Sequence, residues 1–322
     1  MGKELFNIIN DMMDVLDTQQ LKKLEEVLVY RLSEEERYKN THSNEEFLEM
    51  FLTAKRLEGC SERTIESYRF ILSKMLKNIN IPIIKVKTEN LRDYLVEYQK
   101  KNDCSKSTVD NVRRYISSLF TWLEEEDYIL KSPMRRIHKV KTAKRIKEAI
   151  SDETIEKLRD GCTVIRDLAM LDFLLSTGVR VGELVGLDID HINLESRECI
   201  VYGKGGKERK VYFDVKSKLH LEEYLASRRD NNPALFVSLK EPHNRLTVSG
   251  IETRLKTLSR KLKIEGLHPH KFRRTMATKA IDKGMPIEQV QKILGHSQIE
   301  TTLQYALVNQ ENVKLAHRKY LG

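Results

Sequence analysis

Residues 268–306 read HPHKFRRTMATKAIDKGMPIEQVQKILGHSQIETTLQYA. Pro269 suits the first turn of a helix, where a missing N–H costs nothing, so a helix is predicted to begin near it. His270 and Arg273 then stand three residues apart, which puts both on one helix face. Gly295 ends a second helix, His296 follows it, and Tyr305 lies nine residues beyond His296. Taken singly, none of these residues stands out, because a lone tyrosine there packs in a core and a lone arginine pairs with an acid.

Two further stretches upstream add the missing chemistry. Residues 176–187, STGVRVGELVGL, place Arg180 just after a helix-ending glycine and at the start of another helix, whose N-terminus is expected to favour an anion. Glu183 stands three residues later, within reach of an ion pair. Residues 203–209, GKGGKER, form a tight glycine-rich turn that brings Lys204 or Lys207 close to a polyanion. Phosphoryl transfer without a metal needs fixed cationic donors for the nonbridging oxygens, ideally planar guanidinium groups. It also needs a nucleophile, a base and an acid for the leaving oxygen. A tyrosine phenol, with an ordinary pKa of about 10, needs neighbouring cations to ionise. The C-terminal half holds a candidate for each role.

The order of these elements, Arg180 to Leu184, Gly203 to Arg209, His270 to Thr278 and Leu294 to Tyr305, resembles the tyrosine recombinase (phage integrase) family, and its Xer-like members most closely. The resemblance covers the whole C-terminal half. It extends more loosely to residues 43–131, including Ser61, Thr64 and Tyr68, which are similar to the family's helical, SAM-like core-binding domain. The likeness implies that Tyr305 attacks the scissile phosphate of double-stranded DNA, leaving a 3′-phosphotyrosyl enzyme and a free 5′-hydroxyl. Arg180 and Arg273 hold the nonbridging oxygens and His296 adds a hydrogen bond. Lys204 protonates the departing oxygen, His270 takes the tyrosine proton, and Glu183 orients neighbouring side chains. His270 is preferred to His268 by its spacing from Arg273, and Lys204 to Lys207 by register. Tyr320 lacks an adjoining Leu-Gly-His element and is expected to pack in a terminal helix. No cofactor or metal is implied, since the three histidines have no acidic or cysteine partner at ligand spacing.

Outward from this half, the fold is expected to be mainly α with a small β-sheet. Ser43 with Glu46, then Ser61, Thr88 and either Ser105 or Ser107 open four helices over residues 43–131, a helical core-binding domain. Lys74, Lys77, Lys106, Arg113 and Arg114 are its candidate phosphate contacts. Residues 132–150 read as a basic linker: from Lys131 to Lys147 lysine and arginine recur without one acid. Arg135, Arg136, Lys139 and Lys141 are expected to lie on DNA phosphates. Residues 151–322 form the α+β catalytic domain, opening at Ser151. The helix VIRDLAMLDFLLS stops at Gly178, residues 198–203 and 208–213 make a hairpin, and residues 235–238 (LFVS) are expected to add a third strand. Residues 1–40 carry two amphipathic helices divided at Asp17-Thr18, an extension suited to packing or oligomerisation.

Composition narrows the class. No window approaches the roughly 18–20 apolar residues of a membrane span, and the acidic N-terminus lacks a signal layout, so a soluble, cytoplasmic protein is expected. Four cysteines lie far apart, against zinc or a disulfide scaffold. The net charge of +9 agrees with a polyanionic partner. The expected partner is DNA with paired half-sites, bound by a homotetramer whose C-terminal stretch, Asn312 to Leu321, docks on a neighbour or folds back. A type IB topoisomerase and a catalytically silent DNA-binding regulator are the rival readings. The N-terminal extension favours a mobile-element or inversion role over chromosome dimer resolution.

Overall fold

The structure, a computed structural model, describes residues 2–39, 42–141, 148–203, 206, 208–305, 317, 318 and 321. The chain divides into two compact units, Met1–Lys144 and Arg145–Gly322.

The first unit opens with α1 (Gly2–Met12) and α2 (Thr18–Lys39). Asp17 Oδ1 accepts from the amides of Gln19 and Gln20, both at 2.8 Å, so the cap expected between the two helices is present. Four longer-range packed helices follow: α3 (Asn44–Leu57), α4 (Glu62–Ile79), α5 (Thr88–Asn102) and α6 (Lys106–Glu125). Ser43 and Glu46 close a reciprocal capping box on α3, and the Ser61 and Ser105 hydroxyls cap α4 and α6. Each helix turns one apolar stripe inward. Phe47, Phe51, Ile65, Leu72, Leu91, Ile116 and Phe120 meet in a common core.

The basic stretch beyond α6 is less of a free linker than its composition suggests. Residues Pro133–Arg136 form a 3₁₀ turn that buries Met134, and Ile137 and Val140 pack on the helical core. Asp110 on α6 fixes it further, accepting from the Val140 amide at 3.0 Å and from Arg113 Nε at 2.8 Å. Arg113, expected to face phosphate, therefore spends that donor inside the fold. The expected linker residues 142–147 lie outside the described residues.

The second unit runs α7 (Asp152–Gly161), α8 (Ile165–Thr177), α9 (Val181–Val185), β1 (Ile192–Asn193), β2 (Glu198–Tyr202), β3 (Glu208–Tyr212), α10 (Val215–Ser227), α11 (Val248–Leu262), α12 (Pro269–Asp282), α13 (Ile287–Leu294) and α14 (Glu300–Leu303). The sheet is antiparallel, in the order β1-β2-β3. α8 is its central helix: Ala169, Met170, Leu171, Phe173 and Leu174 are all buried, so it is apolar around most of its circumference and packs against α10, α12 and β3. Gly178 ends it with φ +61°, a left-handed conformation that turns the chain into the Arg180 segment.

Two expectations are corrected. The third strand is residues 192–193, which pair with β2; residues 235–238 make only an isolated bridge to Arg245. Leu235, Phe236 and Val237 are buried, and this burial rather than sheet pairing explains their strand-like composition. Secondly, α9 is a five-residue helix, and the Arg180 amide at its start donates to Glu183 Oε2 at 2.8 Å. The anion there is the chain's own carboxylate.

Candidate active site

Gly295 ends α13 with φ +64°, and the helix's last carbonyls are left without helical partners. Three consecutive ones each accept from a different arginine. Arg209 Nε reaches the Ile293 oxygen at 2.9 Å, Arg273 reaches the Leu294 oxygen, and Arg180 reaches the Gly295 oxygen at 3.3 Å. The negative end of a helix dipole attracts cations, so this corner gathers guanidinium groups from β3, from α12 and from the segment before α9. The glycine is needed twice here. Besides its φ, a Cβ at Gly295 would meet Arg209 Cδ at 2.9 Å.

Glu183 balances the cluster from the other side. Its two oxygens accept from Arg209 at 2.7 and 2.7 Å, and Arg180 Nη1 adds a bond of 2.8 Å. Burial pushes this carboxyl's pKa upward, but the forked Arg209 bonds and the Arg180 amide outweigh it and hold it down at about 2. Arg273 is 2% exposed, with one further bond to the Gly178 oxygen at 2.7 Å. Burial and the Arg180 charge bring its pKa down to about 10, which leaves it protonated at neutral pH.

His296 sits directly after the corner. Its Nε2 lies 3.0 Å from Arg273 Nη2, and its Nδ1 lies 2.8 Å from the Thr302 hydroxyl. A guanidinium only donates, so Nε2 accepts and Nδ1–H donates to Thr302. Burial first, then the Arg273, Arg180, Arg209 and His270 charges, lower the imidazole to a pKa of about 4, which makes it neutral at pH 7. The Tyr305 ring stacks beside it, with centroids 6.0 Å apart and an interplanar angle of 26°. The same ring packs on Ala277, Val290 and Leu294, holding the phenol on its own unit's α12–α13 face.

Residues 144–312, more than half of the chain, match the profile of the phage integrase family. The chain belongs to the phage integrase family. Residues 47–130 match the N-terminal SAM-like domain of phage integrases. Tyrosine recombinase XerA of Pyrococcus furiosus is 32% identical over 278 residues, which cover 84% of this chain and 92% of that protein. Tyrosine recombinase XerC of Leptospira interrogans (strain Fiocruz L1-130) is 29% identical over 293 residues, 87% of this chain and 94% of the relative. In fold, the chain is similar to the XerH site-specific recombinase bound to palindromic difH substrate, with a TM-score of 0.68 at 19% identity, covering 98% of this chain and 93% of that one.

Within this phage integrase fold, Arg180, Glu183, Arg273, His296 and Tyr305 form one contiguous site. His270 is exposed, one turn from Arg273 on α12, and its charge is felt by His296. His268 instead occupies the N-cap position of α12, with Nδ1 bonded to the Gly266 oxygen at 2.7 Å. Lys204, Lys207 and Tyr320 lie outside the described residues, as does most of the stretch from Asn312 to Leu321. Two residues escaped the sequence reading. Arg209 closes the glycine-rich element and Thr302 precedes Tyr305 by three residues, but neither position reveals a partner that only folding supplies. Among the described residues, Asp188, Asp190 and His191 have metal-ligand spacing. Asp188 however accepts from Arg245, and His191 Nδ1 accepts from the Asp188 amide, so this group serves a turn.

Of the expected DNA contacts, Lys77, Lys106, Arg114, Arg135, Arg136, Lys139 and Lys141 are exposed. Lys74 is half-buried, 3.1 Å from Asn102 Oδ1 and over the Tyr98 ring at 4.8 Å. No helix among the described residues is long and apolar enough to cross a membrane.

The Glu183 arrangement makes a pH prediction. A carboxyl lowered from 4.5 to about 2 stabilises the fold above its unfolded pKa, and that contribution is lost as pH falls through the folded one. The contribution at neutral pH is about 3 kcal/mol. Urea unfolding of wild type and Glu183→Gln should therefore differ most above pH 5 and converge towards pH 2. A difference that stays constant over this range would show that the carboxylate is not held by its arginines.

Proposed function

We propose that this chain is a cytoplasmic site-specific recombinase that cuts and rejoins double-stranded DNA through a 3′-phosphotyrosyl intermediate. The observation that carries the reading is Tyr305 stacked on a neutral His296 that is itself bonded to the buried Arg273. Tyr305 Oη forms a bond to the scissile phosphorus as the P–O5′ bond breaks. The phenol proton passes to His270, and Lys204 supplies a proton to the departing 5′ oxygen. Arg180 and Arg273 hold the nonbridging oxygens, where negative charge builds up. Bonded to Arg273, His296 Nε2 accepts rather than donates. An incoming phosphate opposes the arginine charges that keep the ring neutral, so proton uptake at His296 turns Nε2 into a donor.

The 5′-hydroxyl of one duplex then attacks the phosphotyrosine of another, giving a four-way junction on a tetramer with paired half-sites. The domain roles follow: residues 43–131 grip the duplex, residues 132–150 lie along its backbone, and residues 151–322 carry the chemistry. Residues 1–40 and the C-terminal stretch serve assembly. The solved XerH complex, bound to its difH substrate after cleavage, supports this reading.

The test is to incubate the chain with two duplexes carrying the DNA that adjoins its gene and to look for junctions. Junction formation supports recombination, whereas relaxation of supercoiled DNA without junctions overturns it in favour of topoisomerase activity. Binding should also weaken about 10³-fold or more between 50 and 200 mM salt, as expected for six or more phosphate contacts. A nearly flat salt dependence rules out the phosphate grip assigned to the exposed lysines and arginines.

A further inference from the structure

Arg209 has no assigned role in the reaction, yet its side chain makes three bonds in the site, as many as that of Arg273. Both terminal nitrogens fork onto Glu183, Nε is bonded to the Ile293 oxygen, and the stem lies against Gly295. Its side chain is 12% exposed. Both terminal nitrogens are spent on a carboxylate, so the charge of this guanidinium is already matched inside the protein, unlike that of Arg273, whose partners are neutral carbonyls and an imidazole. Arg180 is the opposite case: its side chain is 44% exposed, with a single side-chain bond to Glu183.

We propose that Arg209 is a positioning residue that neutralises Glu183, so that Arg180 keeps its positive charge for the scissile phosphate; this rests on the recombinase reading. A buried carboxylate must be paired. With Arg209 in place the fork satisfies both Glu183 oxygens, and Arg180 is oriented by one bond to Glu183 and one to the Gly295 carbonyl while its side chain stays 44% exposed. Without Arg209, Glu183 has Arg180 as its nearest cation and draws that guanidinium into full pairing. The charge meant for the nonbridging oxygens is then cancelled inside the protein. Arg209 also ties β3 to the end of α13, where the Leu294 and Gly295 carbonyls hold Arg273 and Arg180.

The test uses Arg209→Met in the full chain, under single-turnover conditions on duplex carrying the site that wild type nicks. One substrate has an ordinary scissile phosphodiester and a second has a methylphosphonate there, which lacks one nonbridging oxygen and its charge. Covalent adduct formation on the phosphodiester should fall about 100-fold, the scale of losing one charge-stabilising donor. On the methylphosphonate the variant should stay within about fivefold of wild type on that substrate, because one unit of the negative charge that Arg180 would meet is missing and the charge left is met by Arg273. Equal loss on both substrates overturns the inference and makes Arg209 merely structural, as does a wild-type rate on the phosphodiester. If wild type itself forms no adduct on either substrate, the recombinase reading fails, and this inference with it.

Discussion

Tyr305→Phe is expected to abolish the covalent protein–DNA adduct while leaving DNA affinity within about twofold of wild type, a change of about 0.4 kcal/mol. The substitution removes one oxygen and nothing else. The ring's stacking on His296 and its packing on Ala277, Val290 and Leu294 are properties of its carbon frame, which phenylalanine keeps. The backbone bond from the Tyr305 amide to the Thr302 oxygen, 2.9 Å, is also unaffected. Stability should therefore move by no more than about 0.5 kcal/mol. With no nucleophile no step of the reaction proceeds, so the loss is complete rather than partial. The measurement is a denaturing gel of protein and nicked duplex, beside a binding titration. An adduct surviving in Tyr305→Phe, and vanishing instead in Tyr320→Phe, moves the nucleophile to Tyr320.

The second large effect separates two arginines that look alike in the sequence. Arg273→Ala should lower adduct formation about 10²- to 10³-fold and should also destabilise the chain by about 2–4 kcal/mol. Its side chain is buried and satisfies the Gly178 and Leu294 carbonyls as well as His296 Nε2. Truncation leaves these acceptors without a donor in a place that water reaches poorly. Arg273→Lys should restore less than half of the stability, since one ammonium cannot reproduce a planar fork across two carbonyls. Arg180→Ala should show a comparable loss of adduct formation with a stability cost below about 1 kcal/mol, because its side chain is half-exposed and Arg209 still neutralises Glu183. Urea unfolding alongside single-turnover cleavage checks both. Equal stability losses in the two alanine variants would mean that the difference in burial has no energetic weight.

Much of the fold was legible because its signals are local. Ser43 with Glu46, Ser61, Ser105 and Ser151 bond to amides three residues away, and Gly178 adopts its left-handed turn within its own peptide. Residues 235–238 misled because a buried irregular segment selects the same apolar residues as a central strand. The Arg180 segment misled differently. A helix start was recognisable there, but not that Glu183 folds back onto its amide.

What the sequence determined by itself is the set of chemical groups and their order: Arg180, the glycine-rich turn, His270 with Arg273, and His296 nine residues before Tyr305. Their order carries the likeness to the tyrosine recombinase family, and their residue types fit what phosphoryl transfer without a metal requires. What the tertiary structure alone decided is how the groups divide the work. Arg209 and Glu183 are 26 residues apart, and Arg180 and Gly295 are 115 apart, so no spacing rule relates them. The end of α13 brings three arginines onto three successive carbonyls, and burial then fixes Arg273 on two carbonyls, leaves Arg180 half-exposed and keeps His296 neutral. Hydrogen-bond partners and burial are set by long-range packing, and they decide which of several identical side chains faces the substrate.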